Sequence, residues 1–518
     1  MIASSVGSSI PASPAKSLNP EYDSETIALS GSAVLIASTF GNGLNYAFGI
    51  FLARTLGAEE FGLYALALTI FNMVSLTAVF GMDVAAIKFV SHHLAGRQYA
   101  KARETLIFAV TIAFASGFIA AVGLGLLAHP IAVELYNKPN LVLSLLFFAA
   151  AIPLATLTIV LISTLQAHQT VRHTILIKYL WEPIGKFVLA GVLLWAGFQL
   201  LGALIAIILT CTISTALFIH AVYRIAFKDS DFHLVWDMQE ARTLLSYCLP
   251  LAISNIFGVV APRSDILILG YWANSQDVGI YLAAFQTAAI ISLVLDAFIT
   301  NSAPIISRAW SQQDRLRMRE SYQTVSRLSI TVSLPIFCCF IVFGSEILAV
   351  FGPEFSAGTT ALMFLALGQI FNNATGSANT VLLMSGHSRL VMKNTIIMGV
   401  VLLVTTAASI PFLGMTGAAI AASLTFILTN LIRVIQVWHL HHVQPYTWGL
   451  AKPIAAAAAA TTIVLMLHNS AVTLPSPVLG LALGVIYVSG LLLLGIHQQD
   501  RLALNALLSR LRSRVGKE

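Results

Sequence analysis

The chain has 518 residues, of which 58% are hydrophobic and only 10% charged, with 28 Lys and Arg against 22 Asp and Glu. Soluble domains carry roughly 25% charged residues, so this composition belongs in a bilayer, and the net charge of +6 reads as loops facing an anionic leaflet rather than as a nucleic-acid surface. No polar gap is long enough to fold as a catalytic domain; the longest, 223–242, is a short linker.

Residues 1–27, with Pro11, Pro14 and Pro20, read as a disordered tail and lack the basic start and apolar core of a cleaved signal peptide. About fourteen apolar stretches follow, each near the ~20 residues a helix needs to cross a membrane. They fall at 28–53, 59–82, 104–127, 140–165, 176–197, 199–222, 243–270, 278–301, 322–343, 359–384, 392–412, 415–438, 449–468 and 476–496, and a basic tail, 498–518, closes the chain. All but five of the Lys and Arg residues sit in alternate gaps. By the positive-inside rule those gaps face the cytoplasm, and the even number of crossings places both termini there too. Arg54 and Lys138 stand on the opposite side, and Lys186, Arg263 and Arg327 fall inside spans.

The chain is internally duplicated. Phe61-Gly62-Leu63-Tyr64-Ala65 returns as Val278-Gly279-Ile280-Tyr281-Leu282, 217 residues later, and the stretch from Ala85 to Arg97 falls on Ser302 to Asp314 at the same offset. Ala167-His168 matches Gly386-His387 at 219, and Gly202-Ala203-Leu204-Ile205-Ala206 matches Gly417-Ala418-Ala419-Ile420-Ala421 at 215. A nearly constant offset over about two hundred residues marks a repeat. Each copy holds six spans, an even number, so the copies share orientation and form two parallel lobes, 28–222 and 243–440. Such lobes place a substrate site between them. Residues 441–497 carry two further spans outside the duplication.

An ionisable side chain at mid-membrane costs about 2.5–3.5 kcal/mol on insertion scales, so it faces a cavity or a partner. Lys178, Glu182 and Lys186 recur every four residues and stack on one face of the fifth span, where Pro183 removes a backbone donor and is expected to kink the helix. They read as a hydrated pathway with one unpaired positive charge, or as a salt ladder that merely orders the helix. Arg263 and Asp265 follow Pro262 in the seventh span and point to different faces, one arrangement sending Arg263 into the central cavity and Asp265 to another helix, the other leaving both at the outer interface, since the span ends near Trp272. Arg54 is either a grip for an anionic head group or a snorkelling anchor. Asp83 and Lys88 lie five apart at the inner end of the second span. Asp296, near the inner end of the eighth, reads as an ion-coupling carboxylate or as half of a buried pair. The four cysteines lie in apolar segments and imply packing, not disulfides. His439, His441 and His442 suggest a metal cluster but read better as interfacial histidines. No phosphate-binding loop or catalytic constellation stands out, and no cofactor is expected.

The run from Phe51 through Arg54-Thr55-Leu56-Gly57-Ala58-Glu59-Glu60 to Tyr64 resembles the join between the first two helices of polysaccharide-export flippases. They belong to the MATE-like superfamily that also holds multidrug and toxin extrusion transporters and the lipid II flippase. Phe80-Gly81-Met82-Asp83 with Lys88-Phe89-Val90-Ser91, and Asp265-Ile266-Leu267-Ile268-Leu269-Gly270 with Val278-Gly279-Ile280-Tyr281, are similar to the corresponding joins. The resemblance implies an all-α integral membrane protein that is no enzyme. Such a protein flips a polyprenyl-pyrophosphate-linked oligosaccharide, carried by undecaprenyl, to the outer leaflet of the bacterial inner membrane by alternating access. It also implies service to capsule, O-antigen or exopolysaccharide assembly, with a polymerase and export machinery as partners. Lys178, Lys186, Arg263, Lys88 and Arg54 are the candidate anion-binding residues, with Glu182, Asp265, Asp296 and Asp83 for coupling or charge pairing. A lipid II flippase shares this plan. A multidrug antiporter would show net acidic lobes, and a membrane-embedded polymerase or ligase would show a large outer loop and no duplication.

Overall fold

The computed structural model describes residues 20–227, 242–249, 252, 258, 263–468 and 475–495. Most of the two expected tails and of the linker, and Asn255 and Pro262 of the seventh span, lie outside the described residues. The described elements are all helical. In chain order they are α1 (Pro20–Ala78), α2 (Met82–Ala95), α3 (Tyr99–His129), α4 (Leu141–Ala167), α5 (Glu182–Trp195), α6 (Gln199–Ala226), α7 (Ser264–Trp272) and α8 (Ser275–Ser311). Then come α9 (Arg315–Ala349), α10 (Thr359–Thr375), α11 (Ala378–Met384), α12 (Ser388–His441), α13 (Ala451–His468) and α14 (Ser476–Leu494).

Two of these helices are too long to cross once. As a straight rod α1 would measure about 90 Å, some three times the hydrocarbon core. It breaks at Gly57, whose φ of 76° suits glycine and strains other residues. Its arms fold back on each other, since Asn45 and Asn72 line one cavity. α12 breaks likewise at Gly414, φ 54°. Its arms are pinned by a reciprocal amide pair: Asn394 Nδ2 donates to Gln436 Oε1 at 2.7 Å, and Gln436 Nε2 to Asn394 Oδ1 at 2.9 Å. In lipid, where apolar surface has no preference for a neighbouring helix, such hydrogen bonds fix the pairing. Ten helical runs among the described residues are long and apolar enough to span a membrane, these folded pairs among them. The expected count of fourteen is not reproduced one for one. The first two spans merge, as do the eleventh and twelfth, the fifth is divided, and the seventh is described only in part. Helix also begins at Pro20, inside the stretch expected to be disordered.

The duplication reappears as a reciprocal contact. A Cβ on Gly62 would run into the Ser275 carbonyl, and a Cβ on Gly279 into that of Ala58; each would also lie 3.0 Å from the other glycine's nitrogen. Positions 58 and 62 map onto 275 and 279 at one offset of 217, so an approximate two-fold axis passes between the glycines. The surrounding core draws Phe61, Leu66, Tyr281 and Ala284 from both repeats. α13 and α14 stand outside this symmetry and pack on α9 through Cys338, Phe343, Ala460 and Leu483. All four cysteines are free thiols.

Candidate functional site

Just before α5 the chain winds as a π-helix, Ile175–Trp181, so that the Glu182 N–H reaches back five residues to the Ile177 carbonyl. Pro183, which has no N–H to give, sits at the start of the α-helical turn that follows. The expected kink is thus taken up as a wider helical turn, a feature often found at functional positions. Gly41 of α1 packs on this segment, where a Cβ would come 2.7 Å from the Tyr179 carbonyl oxygen.

Lys178, Glu182 and Lys186 all line one cavity of about 400 Å³. Both lysines act electrostatically on the Glu182 carboxylate, which leaves one positive charge in excess. Asn45, Asn72 and Ser75 of α1 and Thr210 and Cys211 of α6 add polar edges, and Gln286 of α8 reaches in from the other repeat. The rest of the wall is apolar, with Phe48, Phe61 and Phe71 among the lining residues. Such a space can hold an anionic or strongly hydrogen-bonding group inside the bundle, where charge-assisted hydrogen bonds are worth more than in water. Gln286 and Asn72 were not picked out from the sequence, and Cys211 was read there as packing alone. Single polar residues in apolar helices carry no periodic signal, and only the fold shows that they converge.

The other expected residues do not join this cavity. Arg263 caps α7, is exposed, and holds its guanidinium 5.3 Å from the Phe285 ring. Asp265 is only 1% exposed and accepts hydrogen bonds from the Tyr281 hydroxyl at 2.6 Å and the Ile266 N–H at 2.8 Å. The two therefore diverge, with Asp265 bound to the neighbouring helix. Asp265→Ala would strand the fully buried Tyr281 hydroxyl, at about 1–3 kcal/mol, so a lowered unfolding temperature in detergent is the expected result and Tyr281→Phe should be milder. Lys88 places its ammonium 3.9 Å from the Tyr247 ring. Asp83, whose buried Oδ1 has no hydrogen-bond partner among the described residues, acts on Cys248 of that same segment, 242–249. Asp296 is exposed on α8. Of the three histidines, His441 is buried and bonded to Ser385 at 3.0 Å, whereas His439 and His442 are exposed, so they form no cluster.

Arg54 and Lys138, the two cations at the Lys- and Arg-poor end, both reach into the other repeat. Arg54 Nε donates to the Val350 carbonyl at 2.6 Å, and beside it the Ala58 N–H donates to Glu354 Oε1 at 2.6 Å. Lys138 Nζ donates to the Gly270 and Ala273 carbonyls at 2.6 and 2.9 Å, capping α7. Burial pulls its ammonium below the ordinary lysine pKa. With the Gly62–Gly279 crossing, these contacts tie the two repeats together at that end.

The profile of the polysaccharide biosynthesis protein family matches residues 28–310, and that of the MatE family matches 250–407. The chain belongs to the polysaccharide biosynthesis protein family. Among its relatives, the probable low-salt glycan biosynthesis flippase of Haloferax volcanii is 24% identical over 430 residues, covering 81% of this chain and 84% of the relative. The succinoglycan biosynthesis transport protein ExoT of Rhizobium meliloti is 22% identical over 506 residues, covering 96% and 98%. The fold of this polysaccharide biosynthesis family member also matches the lipid II flippase MurJ in an inward closed conformation. The TM-score is 0.69 at 13% identity, covering 88% of this chain and 97% of the other.

Proposed function

We propose that this protein is a flippase that carries a polyprenyl-pyrophosphate-linked oligosaccharide across the cytoplasmic membrane for surface polysaccharide assembly. The observation that carries this reading is a cavity with an excess cation inside the helical bundle, behind an end sealed by contacts between the two repeats. The family assignment and glycan-flippase relatives support it. The basic end is taken as the cytoplasmic one by the positive-inside rule, which makes the sealed end the outer one. Residues 28–222 and 243–440 act as the rocking lobes. The head group enters from the cytoplasm while the isoprenoid stays in lipid. Lys178 and Lys186 attract the pyrophosphate, Glu182 prevents permanent capture, and opening of the seal releases the head outside. The protein makes and breaks no covalent bond, and a polymerase on the outer face takes up its product.

The test is deletion of the gene in its host. Loss of surface polysaccharide with accumulation of the complete lipid-linked repeat unit on the cytoplasmic leaflet is expected; normal export with no accumulation overturns the reading. The seal makes a second prediction. Arg54→Ala with Lys138→Ala removes three lobe-to-lobe hydrogen bonds, each worth about 0.5–1.5 kcal/mol or more for a charged donor. The outer end should then open more often, seen as several-fold faster labelling of a cysteine at Ser275 by an impermeant maleimide.

A further inference from the structure

Beside these contacts lies a second cavity, of about 410 Å³, that shares no lining residue with the inner one. Its walls come from three places: Glu59 at the α1 bend, residues 136–140 between α3 and α4, and residues 271–275 joining α7 to α8. It therefore straddles both repeats. From this lining we infer that the outer junction of the lobes carries a saccharide-binding site, one that holds the sugars of the glycan and not its pyrophosphate. The inference rests on the flippase reading above for the orientation of this end.

Two features select the ligand. Tyr271 and Trp272 are 52% and 58% exposed, their rings edge to face with centroids 5.3 Å apart. Exposed ring surface of this kind packs against the C–H face of a pyranose, whose polarised hydrogens meet the negative face of the ring. Around the rings stand the amides of Asn137, Asn140 and Asn274 and the exposed carboxylate of Glu59. Amides both donate and accept and carboxylates accept twice, which suits vicinal hydroxyl groups. The Asn274 side-chain Oδ1 accepts from the Asp277 N–H at 2.7 Å, so its NH2 group is fixed in direction. The second feature is charge. The one cation among the lining residues is Lys138, and its ammonium is taken up by the Gly270, Ala273 and Tyr136 carbonyls. With Glu59 beside it, the lining carries no net formal charge and no free ammonium donor to grip a pyrophosphate, and it suits a neutral, hydroxyl-rich group. Its volume lies within the about 300–1,000 Å³ of ordinary ligand sites. Because the walls come from both lobes, a bound sugar favours the sealed state.

The experiment uses the full-length protein in lipid nanodiscs. The probe is the repeat-unit oligosaccharide cut from the host's own surface polysaccharide, free of lipid and phosphate, followed by saturation-transfer NMR. Transfer to sugar C–H protons is expected with wild type, at least tenfold weaker with Trp272→Ala, restored in large part by Trp272→Tyr, and several-fold weaker with Asn140→Ala. Lys186→Ala, in the inner cavity, should leave it unchanged. Inorganic pyrophosphate should not displace the sugar. A Trp272 that only anchors the protein at the interface would change thermal stability and leave the transfer intact, which overturns the site. Loss with Lys186→Ala but not with Trp272→Ala places the sugar in the inner cavity and also overturns it. Neither result touches the flippase reading, which stands or falls on leaflet accumulation in the deletion strain.

Discussion

Gly62→Leu is expected to stop export almost completely while leaving the protein in the membrane. The new side chain would enter space held by the Ser275 carbonyl and the Gly279 backbone. Both are main-chain groups, so no rotamer change can make room. Overpacking of this kind costs about 1–3 kcal/mol or more, and it falls wholly on the state in which the lobes touch here. For two conformations separated by a few kcal/mol, 2 kcal/mol shifts the population about thirtyfold. The variant should therefore rest with this end open. A cysteine at Ser275, 9% exposed in the sealed state, should then react with an impermeant maleimide at least tenfold faster once the four native cysteines are replaced by alanine. Gly279→Leu should behave alike, because the contact is reciprocal, and Gly62→Ala should lie between. Wild-type labelling and export in both leucine variants would mean that this crossing does not gate this end.

Lys186→Ala carries the second large effect. Lys186 reaches the cavity beside Glu182, and its removal leaves Lys178, exposed at the mouth, as the remaining cation of the trio. A hydrogen bond to a charged group contributes about 1.5–3 kcal/mol, a tenfold to hundredfold change in head-group capture. Flipping of a fluorescent lipid-linked glycan in proteoliposomes should fall by that factor. Lys186→Arg should keep a substantial part, since it retains the charge in a different shape. Glu182→Gln should act in the opposite sense on binding: with two unopposed cations the head group is held tighter and released more slowly, so turnover falls while affinity rises. If Lys178→Ala and Lys186→Ala both flip at the wild-type rate at equal protein levels, the cavity is not on the substrate's path.

Much of the architecture was legible because it is written in features that recur. Segment length reports bilayer thickness, and a shift of 217 residues pairs Gly62 with Gly279 before any coordinates are consulted. The Lys178–Glu182–Lys186 row was legible for the same reason, since a spacing of four survives even a π-helical turn at one end. What stayed hidden depends on main-chain groups far away in sequence. Arg54 and Lys138 stood out as cations on the wrong side, but their acceptors are carbonyls of Val350, Gly270 and Ala273. Every residue has a carbonyl, so composition gives no hint of which one is used. The breaks at Gly57 and Gly414 fall inside the gaps 54–58 and 413–414 that the span boundaries left, but the left-handed turn itself was silent, because a glycine at positive φ looks in sequence like any other. The grouping of Arg263 and Lys88 with the cavity lysines came from counting intramembrane charge, which ignores where each helix turns its faces; in the structure each rests on an aromatic ring instead.

The joint at Gly62 and Gly279 is self-complementary: each repeat supplies both the notch and the ridge that fills it. An interface of that kind is isologous, the same patch meeting itself across a two-fold axis, as in a homodimer. Each half therefore already contains everything needed to recognise a second copy, and the covalent linker only guarantees that the copy is present. Change on one side of this joint is accordingly constrained from the other: the obstacles are main-chain atoms, so no substitution at 275 or 279 can make room for bulk at 62, and the backbone of each half holds the other to glycine.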